Sequence, residues 1–429
     1  MITARAFAGH HYAVYGLARS GLATVAALIA SGARVTAWDA KEEARASAPA
    51  GTEVANLDEA DLSQFDSLVV TPGLPINRHP IAQRAREAGV EIIGDIELFA
   101  RARPELPPHK VVGITGTNGK STTTALVHHI LKTARVPATM GGNVGLPILA
   151  QDPLPAGGVY VLELSSYQID LTQSLDCDVA VLLNITPDHL DRYESFEAYR
   201  RSKLRLFEMQ NRKHFAVFNF DGPESEEVTA IRRGDAGGYW FGMDAVGHLA
   251  HWRDWPTLQG PHNHENAAAA VMVCNAINVP SDAIDEGLRT YPGLPHRMER
   301  VREKGGVLFV NDSKATNPTA TAPALAAFSS IRWILGGQAK TDNLDECAPH
   351  FGHVRSAYAI GEAGELFARL LSPHMPVQNC ETLENAVKRA AEDSQPGDTV
   401  LLSPACASFD QFRDFEQRGD RFRDLVGAL

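Results

Sequence analysis

Glycine and lysine residues stand together in a short loop whose composition suits phosphate binding. The loop reads Thr-Gly-Thr-Asn-Gly-Lys-Ser over 115–121, between the apolar run KVVGIT and the helical pattern STTTALVHHILKTA. A helix N-terminus presents unpaired N–H groups that stabilise an anion, and Gly116 and Gly119 let the backbone approach it closely. Lys120 would lie over the β and γ phosphates of a nucleotide, and Ser121 would face a magnesium ion.

The spacing of this loop departs from the usual phosphate loop, which has Gly, four residues and then Gly-Lys-Ser/Thr. Ile114 stands where the first glycine belongs, and Gly113 and Gly116 are both out of register. The flanking strand and helix favour nucleotide binding over the alternative, which is a strand-to-helix turn that contains GKS by chance.

Two charged side chains interrupt apolar elements that follow the loop. Glu163 closes the strand in VLELSS, and a carboxylate at such a position commonly holds the magnesium of a nucleotide. An N-capping or surface glutamate would give the same pattern. Lys203 interrupts the apolar stripe of Phe196, Tyr199 and Phe207 on a predicted helix.

Lys203 has two possible environments. Either its ammonium snorkels to water, which the pattern taken alone favours, or it is desolvated and has a lowered pKa. A neutral amine can react with carbon dioxide to form a carbamate, which would turn a cation into an oxygen ligand for magnesium. Asp188 and His189, in NITPDHLDRY, lie upstream at the exit of a predicted strand.

Three polar loops follow strands in the last third of the chain. They carry Asp312, Lys314, Thr316 and Asn317 in the first, Gly336, Gly337 and Lys340 in the second, and Ser403 and Ser408 in the third. In an open α/β sheet the loops at the carboxyl ends of strands line the ligand crevice. Two lysines there indicate an anionic substrate. Helix caps and solvated loops without a ligand would give the same sequence pattern.

The N-terminal segment Gly-Leu-Ala-Arg-Ser-Gly (16–21) is similar to a dinucleotide fingerprint. Ala18 replaces the middle glycine, and Asp39 ends the next strand about where a ribose-binding acid would lie. Because the extra methyl group would crowd a pyrophosphate held as in dehydrogenases, the segment favours a different nucleotide pose or none.

Alternating short apolar runs and helical patterns predict three α/β domains in the 429 residues. Linker-like segments at 101–110 and 290–299 separate them. We expect an N-terminal Rossmann-like parallel sheet over 1–103, a central P-loop NTPase-like, mostly parallel sheet over 104–292, and a C-terminal Rossmann-like α/β domain over 293–429. The predicted strands are HYAVYG, ARVTAWD, FDSLVV and EIIGD, then KVVGIT, GVYVLELS and VAVLLNIT, and finally VLFVND, IRWILGG, SAYAIG and DTVLLSP.

Composition excludes several classes of protein. A net charge of -12 argues against a general nucleic-acid binder. The five cysteines are scattered and never form CxxC, which disfavours a disulfide framework and a zinc cluster and favours a reducing cytoplasm. No apolar run approaches the ~20 residues of a membrane span. We expect a soluble, cytoplasmic monomer.

Seven further motifs accompany the phosphate loop: GDIELF, GGNVGLP, LELSSYQ, DHLDRY, GLPHR, NDSKATN and SPACASFDQF. Together with TGTNGKS, whose glycines have the shifted spacing, they resemble the Mur ligase family of bacterial cell-wall synthesis over nearly the whole chain. The resemblance implies ATP-dependent amide-bond formation through an acyl phosphate. The motif SPACASFDQF is typical of the members that join D-glutamate to UDP-N-acetylmuramoyl-L-alanine.

The resemblance also implies roles for individual residues. Lys120, His189, Lys203 and Glu163 would be catalytic, and Ser121, Glu163, His189 and carbamylated Lys203 would hold two magnesium ions. ATP would contact Gly116, Thr117, Asn118, Gly119, Lys120, Ser121, Thr122, Asn263, Asn266, Arg297 and Asp312. The UDP substrate would contact Arg19, Ser20, Asp39, Thr71, Pro72, Gly73, Asn143 and His189. D-glutamate would contact Lys314, Thr316, Lys340, Ser408 and Phe415.

Because these ligands would be divided among three domains, we expect the third to close onto the second before chemistry. Two alternatives remain within the enzyme class: a sister ligase that adds another amino acid, and a folylpolyglutamate synthase. A nucleotide-binding sensor or scaffold without turnover is the alternative from another class.

Overall fold

A computed structural model of the chain describes residues 1–188, 192–219, 222–232 and 254–429. The described residues form three sheets, and the predicted three-domain α/β fold class is confirmed. The chain divides into two compact units, Met1–Leu249 with Glu265–Leu288 and Ala250–His264 with Arg289–Leu429.

The first sheet is parallel and has the order β3-β2-β1-β4-β5. All five residues of the central strand are buried, which is why HYAVY is an almost continuous apolar run. The strands are β1 (His11–Tyr15), β2 (Arg34–Trp38), β3 (Glu53–Val54), β4 (Ser67–Val70) and β5 (Glu91–Ile93). The helices are α1 (Arg19–Ala30), α2 (Glu42–Ala46), α3 (Pro80–Glu87) and α4 (Asp95–Ala102).

The second sheet has the order β10-β9-β6-β8-β7, and its described strand pairs are parallel. The strands are β6 (His109–Thr115), β7 (Ala138–Gly142), β8 (Gly158–Glu163), β9 (Val179–Leu182) and β10 (Phe215–Phe218). The helices that follow in this part of the chain are α5 (Lys120–Thr133), α6 (Ser166–Asp170), α7 (Phe196–Glu208), α8 (Ser225–Ile231), α9 (Pro261–Ala276) and α10 (Ser281–Thr290).

The third sheet has the order β11-β12-β16-β13-β14-β15 and is parallel except for β11, which pairs antiparallel with β12. The strands are β11 (Glu299–Lys304), β12 (Val307–Asn311), β13 (Ile331–Gly336), β14 (Val354–Ile360), β15 (Val377–Glu381) and β16 (Thr399–Leu402). The helices are α11 (Pro318–Ala326), α12 (Gly364–Leu371), α13 (Leu383–Glu392) and α14 (Phe415–Ala428).

The first two sheets are tied together by the buried side chain of Glu97 in α4. Its carboxylate accepts hydrogen bonds from the backbone N–H groups of Gln173 (2.7 Å) and Ser174 (2.9 Å) and from Nε of Arg101 (2.9 Å). A buried carboxylate with several donors fixes the relative position of the elements that supply them.

The sequence-based domain boundaries at 103/104 and 292/293 stay predictions. Of the predicted linker 101–110, the first two residues belong to α4 and the last two to β6. All five cysteines are buried and unpaired. Within the described part of the chain, no helix has the length and apolarity that a membrane span requires.

Candidate active site

The phosphate loop joins β6 to α5 through two glycines with positive φ. Gly116 has a φ of 151° and Gly119 a φ of 86°. A Cβ at Gly119 would lie 2.2 Å from Oδ1 of Asn266, and one at Gly116 would lie 3.1 Å from Cβ of Leu183. Backbone conformation and close packing therefore both require glycine at these two positions, which explains the shifted spacing.

A neighbouring segment, 184–186, holds the loop by hydrogen bonds. The N–H of Thr117 donates to the carbonyl oxygen of Asn184 (2.8 Å), and the N–H of Asn118 donates to Oδ1 of Asn184 (2.9 Å). The hydroxyl of Thr117 also lies 3.0 Å from that of Tyr199. Asn184 and Tyr199 were not among the predicted site residues, because their partners in the loop are 66 and 82 residues away in the chain.

Two lysines bind one carbonyl group of the loop. Nζ of Lys120 donates to the carbonyl oxygens of Gly116 (2.9 Å) and Thr117 (2.7 Å). Nζ of Lys203, on α7, donates to the same oxygen of Gly116 at 2.9 Å and lies 4.7 Å from the ring centroid of Tyr199. The structure thus brings the two predicted lysines together at the end of β6.

Lys203 does not snorkel, so that interpretation of its position is wrong: the side chain is only 2% exposed. Burial lowers the pKa of Lys203 well below its usual value, and the charge of Lys120 lowers it further. The carboxylates of Asp188 and Asp170 oppose the shift. Desolvation and a like charge both favour the neutral amine.

Glu163 ends β8 beside the loop, since it pairs in register with Ile114 of β6. Its side chain is 1% exposed. Oε1 accepts a hydrogen bond from Nδ2 of Asn143 at 2.8 Å, whereas Oε2 is buried and has no hydrogen-bond partner among the described residues. A buried carboxylate oxygen without a donor fits a cation ligand.

The other predicted metal ligands differ in what the structure says of them. Ser121 is buried in the first turn of α5, and Thr122 beside it is half-buried. His189 lies outside the described residues, so its predicted contacts with metal and substrate are not described. Among the described residues, no three His, Cys, Asp or Glu side chains form a metal cluster.

Six of the predicted UDP-substrate residues follow the carboxyl ends of β1, β2 and β4, Asn143 follows β7, and His189 lies outside the described residues. Asp39 accepts a hydrogen bond from the N–H of Leu17 at 2.7 Å, so its carboxylate holds the turn that precedes α1. Arg19 begins that helix and donates to the carbonyl oxygen of Gly145 at 3.1 Å. Residues Ser20, Thr71 and Pro72 line one small cavity together with the buried Asp95.

The two asparagines predicted to lie near adenine are both on α9 and both buried. Asn266 accepts a hydrogen bond from the hydroxyl of Thr123 at 3.2 Å, which fixes it beside Gly119. Asn263 donates from Nδ2 to the carbonyl oxygen of Gln259 at 3.0 Å.

Asp312 follows β12 and is buried. Its carboxylate accepts hydrogen bonds from the hydroxyl of Ser403 (2.8 Å) and the N–H of Met298 (3.2 Å). Burial raises the pKa of Asp312 to about 7, although both hydrogen bonds and the charge of Arg297 oppose the shift.

Four of the predicted D-glutamate residues lie on the three loops after β12, β13 and β16, and the fifth, Phe415, begins α14. Nζ of Lys314 lies 3.8 Å from the ring centroid of Phe415. The loop that carries Lys340 pairs with the one that carries Ser408, since the backbones of Gln338 and Ala407 exchange hydrogen bonds of 2.9 and 3.0 Å. Ser408 is buried, Lys340 is exposed and Thr316 is half-buried.

A buried arginine joins these three loops. The guanidinium of Arg418, 1% exposed, donates to the carbonyl oxygens of Ser313 (2.9 Å), Gly336 (3.4 Å), Cys406 (3.0 Å) and Ala407 (3.3 Å). Burial lowers its pKa to about 10, so it stays charged at neutral pH. Arg418 was not among the predicted site residues, because its acceptors are backbone carbonyl groups of three separate loops.

Replacement of Gly119 tests the geometry of the phosphate loop. Gly119→Ala should destabilise the protein more than Gly157→Ala, because both residues have similar φ (86° and 84°) but a Cβ at Gly157 would meet nothing within 4 Å. The backbone part is about 1–2 kcal/mol in both variants. Adding Asn266→Ala to Gly119→Ala should recover part of the difference. Urea unfolding measures all four proteins, and equal losses in the two glycine variants would contradict the collision.

The raised pKa of Asp312 predicts a pH dependence of stability. Between the unfolded pKa of about 3.9 and the folded value of about 7, the carboxyl binds a proton only in the folded state. The free energy of unfolding of the wild type, relative to Asp312→Asn, should therefore fall by about 2 kcal/mol from about pH 5 to about pH 7.5. Urea unfolding at both pH values measures this change. If the free energy of unfolding changed with pH equally in the wild type and in Asp312→Asn, the carboxyl of Asp312 would have the same pKa in the folded and unfolded states.

Three family descriptions match successive parts of the chain. They are "Mur ligase MurD-like, N-terminal domain" over residues 10–94, "Mur ligase middle domain" over 114–246 and "Mur ligase, glutamate ligase domain" over 296–406. Each match contains one of the three sheets in large part.

Solved structures of Mur ligases share the fold. The chain is similar to UDP-N-acetylmuramate-alanine ligase MurC from Thermotoga maritima, with a TM-score of 0.59, 17% identity and coverage of 98% of this chain and 99% of that one. It is also similar to MurF ligase from Thermotoga maritima in complex with ADP, with a TM-score of 0.62, 18% identity and coverage of 98% and 96%.

Curated relatives match the chain over its whole length. The protein named UDP-N-acetylmuramoylalanine-D-glutamate ligase from Novosphingobium aromaticivorans is 60% identical and is covered over 97% of its length. Proteins of the same name from Sphingopyxis alaskensis and Zymomonas mobilis are 56% and 54% identical and are covered completely. By these matches, the chain belongs to the Mur ligase family.

Proposed function

We propose that the protein is a MurD-type ligase, which joins D-glutamate to UDP-N-acetylmuramoyl-L-alanine through an acyl phosphate and converts ATP to ADP and phosphate, in the cytoplasmic part of peptidoglycan synthesis. The names of the relatives that match the whole chain support the choice of substrates. The observation that carries the chemistry is the convergence of Lys120 and Lys203 on the carbonyl oxygen of Gly116.

Two ammonium groups at one buried carbonyl are electrostatically unfavourable, and the site relieves this if Lys203 loses its charge. The neutral amine then attacks carbon dioxide, a C–N bond forms and a proton is released, which leaves a carbamate anion. The open oxygen Oε2 of Glu163 supports a cation beside it. We propose that Ser121, Glu163, His189 and carbamylated Lys203 hold magnesium, which when bound supplies charge neutralisation at the phosphates.

The residues of the phosphate loop serve the first chemical step. The carboxylate of the L-alanyl group attacks the γ-phosphorus of ATP, and ADP leaves. The N–H groups at the start of α5 bind the phosphates, and the ammonium of Lys120 turns from the loop carbonyls to the oxygens on which charge develops. Asn143, held by Glu163, orients the muramoyl substrate.

The loops of the C-terminal domain serve the second step. The neutral amine of D-glutamate attacks the acyl carbon and a tetrahedral intermediate forms. The amine nitrogen then gives up a proton and phosphate leaves as the amide is made. Lys314 and Lys340 bind carboxylate groups of D-glutamate, while Ser408 and Thr316 donate hydroxyl hydrogen bonds. Phe415 limits the rotation of Lys314 through the ring contact.

A panel of amino acids tests the proposed reaction. With ATP, Mg²⁺ and UDP-N-acetylmuramoyl-L-alanine present, phosphate release should require D-glutamate, and the product should gain the mass of one glutamyl residue. L-glutamate is the matched control for stereochemistry. Turnover with glycine, L-alanine or a diamino acid instead would make the protein a sister ligase. ATP binding without phosphate release from any mixture would make it a nucleotide-binding protein without turnover.

Replacement of Lys203 tests the carbamate. Lys203→Ala should lower kcat at least about a hundredfold, because the carbamate that holds magnesium at the reacting phosphates is lost. A short carboxylic acid such as acetate should restore part of the activity by occupying the vacated space. Lys213→Ala removes an exposed lysine and serves as the control for the change in charge. Turnover of Lys203→Ala at the wild-type rate would remove the carbamate from the mechanism.

A further inference from the structure

The side chain of Arg192 donates hydrogen bonds to three backbone carbonyl groups in the turn that follows β4. Its Nη1 donates to the oxygen of Gly73 at 3.0 Å, and its Nη2 donates to those of Leu74 at 3.0 Å and Pro72 at 3.4 Å. The guanidinium is planar and carries five donors in a fixed fork, so one side chain can serve three acceptors at once. A lysine ammonium lacks this geometry.

The contact is reinforced from both sides. The guanidinium stacks on the ring of Tyr167 in α6, 4.1 Å from its centroid. In the opposite direction, Nδ2 of Asn77 donates to the backbone carbonyl oxygen of Arg192. Side chain and main chain of Arg192 thus both bind the segment 72–77.

Side-chain packing in the core does not by itself hold the segment 72–77 in place. A cavity of about 220 Å³ lies beside Arg192, and its lining includes Pro72, Leu74, Ile76, Tyr167 and Asp170. The backbone hydrogen bonds within the segment are local, such as Leu74 N–H to the oxygen of Thr71 at 3.0 Å. Arg192 and Asn77 therefore hold the segment across a space that side chains do not fill.

We infer that Arg192 is a positioning residue for the UDP-substrate, which it does not need to touch. The inference rests on the proposed function, in which Thr71, Pro72 and Gly73 contact that substrate. Arg192 fixes the backbone of this turn through its hydrogen bonds to Gly73 and Leu74 and through its contact with the ring of Tyr167. A turn held in its bound geometry binds at a lower entropic cost than one that must be ordered.

Steady-state kinetics of Arg192→Ala test the inference. The KM for UDP-N-acetylmuramoyl-L-alanine should rise about tenfold, the effect expected when hydrogen bonds from a charged donor are lost. The KM values for ATP and D-glutamate should stay within about twofold of wild type. Arg192→Lys should rescue only part of the loss. Arg201→Ala, which removes an exposed arginine of α7, is the matched control and should change none of the three constants.

Asn77→Ala is the second variant, and it keeps the inference testable if Arg192→Ala does not fold. It should raise the same KM, and the double variant should show less than the product of the two effects, because both residues hold one segment. Thermal unfolding shows which variants are folded. If the KM of a folded double variant rose by the full product of the two single effects, the inference would be overturned. An equal rise of all three KM values in Arg192→Ala would also overturn it.

Calorimetric titration of the proteins with UDP-N-acetylmuramoyl-L-alanine separates this inference from the proposed function. Weaker binding to Arg192→Ala than to wild type supports the positioning role. Equal binding, with wild-type turnover present, overturns the positioning role alone. No binding and no turnover in the wild type would overturn both.

Discussion

The charge distribution at the phosphate loop of the central domain depends on the carbonyl group of Gly116, where two lysine side chains meet. This carbonyl accepts hydrogen bonds from Lys120 and from the buried Lys203, and Tyr199 lies beneath the second ammonium while its hydroxyl contacts Thr117. The loop, the end of β6 and one face of α7 are therefore held by a single cluster. Its net charge depends on the protonation of Lys203, whose pKa is lowered by burial and by the charge of Lys120.

Unpaired backbone carbonyl groups occur at the ends of other strands as well. Loops at the carboxyl ends of parallel strands expose carbonyl groups that no ladder satisfies. Among the described residues, Arg192 and Arg418 are two of the arginines that bind such groups: Arg192 binds carbonyls after β4, and Arg418 binds carbonyls at or after the ends of β12, β13 and β16. Since these guanidinium groups are occupied by backbone oxygens, they shape the loops.

The sequence predicted the interior of each sheet and missed strands at the edges. The strands that the apolar pattern did not predict are β3, β7, β10, β11 and β15, and each of them lies at the edge of its sheet. A central parallel strand is covered on both faces and is apolar at nearly every position, as in β1 and β9. An edge strand such as β11, Glu-Arg-Val-Arg-Glu-Lys, is largely exposed, so its sequence resembles a charged loop.

Site residues could be predicted where a single sequence motif contains both the residue and the structural elements that determine its role. Gly116, Gly119 and Lys120 are adjacent in the chain, and the strand and helix around them define the turn. Lys203 was harder: the stripe on α7 indicated snorkelling, because nothing near it in the sequence shows that its acceptor is the carbonyl of Gly116, 87 residues away. Arg192 and Arg418 act through carbonyl groups 118 and 105 residues distant. Backbone acceptors carry no residue type, and a sequence pattern therefore cannot identify such arginines before the fold brings the loops together.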